Sequence, residues 1–170
     1  AKMNSDGTVR YEHYLSKYTT GGLVKGETTV VIGASNAGKT TFVLNVIAHN
    51  VLMGKKVLFI THEDKASNVK RKLSRAIAGF DNVRYNTAAK RARENNDKED
   101  IKLLETIGRV VDDNLTYIPW NDPLKMYVED VVALIGYEQE SMITKIGRGY
   151  DMLVVDYPGK LKSRHFSGSR

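Results

Sequence analysis

The stretch Gly33-Ala34-Ser35-Asn36-Ala37-Gly38-Lys39-Thr40 fits the phosphate-cradling pattern G-x-x-x-x-G-K-[ST] at every fixed position. An apolar run, Thr29-Val30-Val31-Ile32, leads into it and reads as a strand. A second run, Thr41-Phe42-Val43-Leu44-Asn45-Val46-Ile47, leaves it and reads as a helix. Strand, loop and helix in that order are the context the motif requires. Its glycines let backbone N–H groups turn inward around phosphate oxygens, and the helix start adds partial positive charge. Residues Gly33 to Thr41 are therefore the candidate nucleotide-binding segment. The Lys39 ammonium is placed for the β- and γ-phosphates of ATP, and the Thr40 hydroxyl for Mg²⁺.

Outward from this loop, strand-like and helix-like segments alternate. Gly54 stops the helix after the loop, and Val57-Leu58-Phe59-Ile60 reads as the next strand. Ser67 is a candidate cap for a helix running to Gly79, and the charged stretch from Asn86 to Glu105 reads as one or two exposed helices. Leu115-Thr116-Tyr117-Ile118 is a third strand candidate. Asp122-Pro123 is a helix start, with apolar spacing from Val128 through Ile146 behind it. Met152-Leu153-Val154-Val155 is the fourth strand and ends in Asp156. Alternation of this kind predicts an α/β fold, a mostly parallel sheet flanked by helices. Near-continuous apolar strands agree, because parallel strands are buried on both faces.

Ligands in such sheets sit beyond the carboxyl ends of the strands. Three predicted strand ends carry suitable chemistry: the Gly33–Thr40 loop, Glu63 and Asp156. Asp156 is the candidate partner of Thr40 in holding the metal. Attack by water on a phosphoryl group also needs a residue to orient or deprotonate that water. Asp156 is followed by Tyr157, Pro158 and Gly159, so the base must come from another strand end, and Glu63 is the candidate. With Lys39 it completes the catalytic pair.

The chain has 170 residues, enough for one domain with a real core, and no cysteine. A disulfide or thiolate-metal site is excluded, which suits a reducing compartment. The N-terminus lacks the apolar core of a signal peptide. The longest uncharged run, Thr40 to Gly54, is too short to span a bilayer, so the expectation is a cytoplasmic protein without membrane attachment. Residues 1–20 read as a leader or linker and 21–170 as the domain. Net charge is +6. Eight basic residues against the single acid Asp81 lie between Asn68 and Arg93, and four with no acid between Tyr157 and Arg170. Either segment could face a nucleic-acid backbone or solvent, and the one after Asp156 is the better nucleic-acid candidate because of where it sits.

The order Gly21-Gly22-Leu23…Gly26, phosphate loop, Glu63 after a strand, and Val154-Val155-Asp156-Tyr157 resembles the RecA-fold motor domain of DnaB-type replicative helicases, bacteriophage ones above all. The likeness covers residues 15–165. It implies a RecA-like P-loop ATPase that forms a hexameric ring, hydrolyses Mg-ATP, moves along single-stranded DNA and separates the duplex. A primase or loader would be a further partner, and the compartment the bacterial cytoplasm, a phage host's included. By motif, Lys39 and Thr40 bind Mg-ATP, Glu63 is the catalytic glutamate and Asp156 the second acidic residue. Lys160, Lys162 and Arg164 would lie near the first DNA-facing loop. Arg71 matches a basic position without an assigned role.

Only 14 residues follow Asp156, and the family's remaining strands, sensor glutamine and arginine finger have no counterpart. The expectation is a sheet truncated after the metal-binding strand and slow hydrolysis by this polypeptide alone. Three other readings stay open. One is a recombinase or clock-type ATPase with the same strand order. Another is a small-molecule kinase, with Arg91 and Arg93 on its lid. The last is a module that binds nucleotide only to drive assembly.

Overall fold

In the computed structural model the described residues are 2–3, 9–10, 26–61, 66–119, 127–156 and 161–164. The chain divides into two units, Ala1–Lys39 and Thr40–Arg170.

In the first unit, β1 (Lys2–Met3) pairs antiparallel with β2 (Val9–Arg10). The remainder described there, Gly26 to Gly38, has no regular element. This corrects the expectation of a strand at Thr29–Ile32. Val30 is 72% exposed and Ile32 89% exposed. A strand exists only where a neighbour takes up its backbone N–H and C=O groups. Among the described residues nothing pairs with this run, so its β-branched side chains alone do not make it a strand.

The second unit is an α/β layer structure. Its elements are α1 (Lys39–Leu52, beginning at the last residue of the first unit), β3 (Val57–Thr61), α2 (Ala66–Ala78), α3 (Asn82–Glu94), α4 (Lys98–Asn114), β4 (Leu115–Pro119), α5 (Val128–Ile146) and β5 (Met152–Asp156). The three strands form a parallel sheet in the order β4-β3-β5. All five residues of the central strand β3 are buried. One face of it, Val57 and Phe59, packs against Leu44, Ile47 and Val51 of α1 and Val69 and Leu73 of α2. The other face, Leu58 and Ile60, packs against Val131, Leu134 and Ile135 of α5. Helices on both faces explain the uninterrupted apolar run in β3. Each of these large side chains contributes about 1.5–3 kcal/mol by leaving water.

β5 pairs only with β3 among the described residues and is an edge strand, with Leu153 left exposed. Among the described residues the sheet ends at β5, the strand carrying Asp156.

The helix boundaries follow local chemistry. α2 starts at Ala66, so Ser67 lies inside it instead of capping it, and Gly79 closes it at φ +63°. The 86–105 stretch is two helices. Asp81 caps α3 by accepting from the Arg84 amide, and Asp97 caps α4 by accepting from the Glu99 and Asp100 amides. α5 begins at Val128; Asp122 and Pro123, read as its start, lie outside the described residues.

Candidate nucleotide site

In the first unit, the loop from Gly33 to Lys39 turns on itself. The Ala37 amide donates to the Ala34 carbonyl at 3.2 Å, and Asn36 and Gly38 adopt positive φ, 60° and 85°. Gly38 takes this conformation without a steric cost, and Asn is one of the few other residues that tolerates it. The Lys39 ammonium donates to the Gly33 carbonyl at 2.9 Å and to the Ala34 carbonyl at 2.7 Å. Its positive charge is thus held against the loop's own backbone. A β-carbon on Gly33 would meet the Lys39 side chain at 3.4 Å and Ala37 at 3.5 Å, which is ordinary van der Waals contact.

α1 opens at Lys39 with no acidic residue in its own first turn, and the partial positive charge of its N-terminus suits an anion.

In the second unit, parallel pairing sets the strand ends level: Thr61 of β3 is in register with Pro119 of β4 and with Asp156 of β5. The Thr40 Oγ1–H donates to Asp156 Oδ2 at 3.1 Å, both residues being half-buried. The structure therefore brings together the two residues singled out for the metal, from the start of a helix and the end of a strand. Two hard oxygen donors side by side suit Mg²⁺, which takes one or two protein oxygens and keeps water and phosphate oxygens for the rest. Among the described residues no group of three or more His, Asp or Glu converges into a closed metal cage. The donor set fits Mg²⁺ bound together with a nucleotide.

Glu63 lies outside the described residues, two positions beyond Thr61. Lys160 also lies outside them. Lys162 forms a parallel bridge with Tyr127, its carbonyl accepting from the Val128 amide at 2.8 Å, and its side chain is exposed. Arg164 is engaged within the protein: its guanidinium donates to both carboxylate oxygens of Asp130 at 2.8 Å and lies over the Tyr127 ring at 4.8 Å. Glu129 accepts from the Ser163 hydroxyl and the Arg164 amide. Residues 161–164 are thus pinned to the start of α5.

Sequence reasoning did not single out Thr61, whose register marks the level of the site, and it placed Asn36 in the nucleotide-binding segment without its left-handed conformation, which shapes the loop. The second was legible in principle, because Asn in a Gly-rich turn signals positive φ.

A family model described as "ATPase: KaiC" matches residues 11–144, most of the chain, from before the phosphate loop to near the end of α5; β1, β2 and β5 lie outside the match. The chain belongs to this KaiC ATPase family. It is a RecA-like P-loop ATPase domain, and the specific likeness to DnaB-type helicases is not what the match carries. The clock-type alternative is the one it favours. Over 85 residues this KaiC-family chain is 29% identical to the "DNA repair protein RadA" of Campylobacter jejuni, covering 44% of the chain and 19% of the relative. The chain therefore spans about a fifth of that relative's length. No solved structure matches it. Among the described residues no helix is long and apolar enough to cross a membrane.

Proposed function

We propose that this domain binds Mg-ATP through Gly33–Thr41 and Asp156, hydrolyses it with Glu63 as the base, and couples turnover to single-stranded DNA in an assembly of its own copies. The observation that carries the nucleotide half is the Thr40–Asp156 contact at the carboxyl ends of parallel strands, Thr40 being the residue that follows the glycine-rich loop in the sequence. Lys39 would exchange its two carbonyl acceptors for phosphate oxygens. Thr40 and Asp156 would hold Mg²⁺, which when bound draws charge from the phosphate oxygens. Glu63 would take the proton of the attacking water.

The DNA half rests on the printed function of the RadA relative and on the resemblance to ring helicases. A replicative helicase with a primase or loader is the most specific form of this reading. A clock-type ATPase indifferent to DNA is the second reading, favoured by the family match. The kinase reading loses one of its lid arginines, because Arg91 is bound to Asp100 at 2.7 Å.

The deciding measurement is ATP turnover with and without single-stranded DNA. Stimulation by DNA supports the motor. Turnover that ignores DNA gives the clock-type reading, and nucleotide binding without turnover under either condition leaves an assembly switch.

A further inference from the structure

Residues 66–94, which form α2, the corner at Phe80 and α3, contain eight basic and two acidic side chains, a net charge of +6. The whole chain has the same net charge, so the rest, with eighteen of each sign, is neutral. Three of the eight are neutralised by ion pairs: Lys70 with Asp112, Lys90 with Glu94 and Arg91 with Asp100.

Arg71, Arg75 and Arg84 have no acidic partner among the described residues, and α2 contains no acid at all. Arg71 and Arg75 are one helical turn apart, so their side chains share a face and repel each other. The corner after α2 continues the stripe. The Phe80 amide donates to the Arg75 carbonyl at 3.0 Å, and the Arg84 guanidinium lies 4.2 Å from the centre of the Phe80 ring. A guanidinium resting on an aromatic face keeps its N–H edge free for a bidentate phosphate contact.

The contrast with the segment after β5 is direct. There Arg164 already has a carboxylate and a ring, so a polyanion would have to displace Asp130. At the stripe an incoming phosphate displaces nothing and relieves a like-charge contact.

We propose that Arg71, Arg75 and Arg84 bind the phosphate backbone of single-stranded nucleic acid and form the main polyanion surface of this chain. The proposal rests on the DNA-directed reading above and moves the contact from Lys160–Arg164 to α2 and its corner.

The test is fluorescence anisotropy of a labelled oligodeoxythymidine titrated with the whole chain over a range of salt. The comparison is between wild type, Arg71→Gln/Arg75→Gln/Arg84→Gln, Lys162→Gln/Arg164→Gln, and the control Lys55→Gln/Lys98→Gln/Lys102→Gln. Single-strand binding changes with salt by a slope of about 0.7 per phosphate contact, so the stripe variant is expected to lose about 2 from that slope. Its affinity should fall more than tenfold at low salt, and the control should not match it. Because Arg75 is half-buried, Arg71→Gln/Arg84→Gln is run beside it, with circular dichroism confirming the fold, and should lose about two-thirds as much slope. Equal losses in stripe variant and control would reduce the effect to net charge and overturn the proposal. Loss confined to the Lys162/Arg164 variant would overturn it while leaving the DNA-directed reading in place. A wild-type chain that does not bind the oligonucleotide at all would overturn both.

Discussion

Thr40 and Asp156 stand 116 positions apart, and the threonine hydroxyl donates to the aspartate at 3.1 Å. The contact ties the first turn of α1 to the end of β5. Thr40→Ala removes one of the two oxygens placed for Mg²⁺, and Asp156→Asn removes the negative charge of the other. Each variant should lower the Mg²⁺-dependent affinity for ATP by about 10–100-fold, the range seen when support for a metal is removed. Stability should change by no more than about 1.5 kcal/mol, the worth of one hydrogen bond. Calorimetric titration with ATP, with and without Mg²⁺, reads the first quantity and urea unfolding the second. An unaltered Mg²⁺ requirement would remove both residues from the metal.

Lys39 and Glu63 should separate binding from turnover. Among the described residues Lys39 donates only to two loop carbonyls, so Lys39→Ala should leave the fold in place and remove the ammonium meant for the phosphates. At about 1.5–3 kcal/mol for each charged hydrogen bond, losing two costs about 100-fold or more in ATP affinity. Glu63→Gln should bind ATP normally and lose turnover by at least about 100-fold, the usual contribution of a general base. Turnover that survives Glu63→Gln would place the base elsewhere.

The sheet was legible because its order is written in local pattern: apolar runs at 57–60, 115–118 and 152–155 each became a strand. The run at 29–32 is just as apolar and did not, because pairing depends on a partner that no local pattern specifies. The same distinction holds in the site. Lys39, Thr40 and Asp156 were marked by motif and by position at a strand end. The hold of Asp130 on Arg164 joins residues 34 apart and depends on how the segment after β5 returns to α5. Charge count alone left that arginine available, and the tertiary contact occupies it.

Asn36 at φ 60° sits in a region that side chains with a branched β-carbon avoid. Asn36→Gly should therefore keep ATP affinity within about twofold, since glycine takes that conformation freely. Asn36→Val should cost about 1–2 kcal/mol in forming the loop, a roughly tenfold loss of affinity. Nucleotide titrations of the two variants check the sign. Equal affinities would mean that the loop does not keep this backbone when nucleotide binds.

The α3–α4 hairpin turns on Arg91 and Asp100, whose side chains approach to 2.7 Å with the carboxylate side chain 10% exposed and the arginine 53% exposed. Water screens the arginine end, so the pair itself should contribute about 1 kcal/mol or less. Removing only the arginine leaves a carboxylate mostly out of water, which costs more than removing both. Arg91→Met should thus destabilise by about 1–2 kcal/mol, and adding Asp100→Asn should restore part of the loss. A double-mutant cycle in urea measures the coupling; strictly additive losses would show that the pair contributes nothing to the hairpin.

Tyr150 supplies the pH test. Burial raises its hydroxyl pKa above the ordinary 10.0; the hydrogen bond to Thr116, 2.7 Å long, opposes the shift and nearby Glu138 adds to it. The folded state therefore keeps the phenol proton at a pH where the unfolded chain has begun to lose it. Stability from this group is fully present below about pH 10 and falls as pH rises through the higher folded value. Tyr150→Phe removes both the hydrogen bond and the titration. The variant should be less stable than wild type by about 1 kcal/mol at pH 7, and the gap should narrow above pH 10. Subtracting the two unfolding curves cancels the lysines and other tyrosines that titrate in the same range. A gap that stays constant, or widens, as pH rises would mean that the folded phenol ionises no later than the unfolded one.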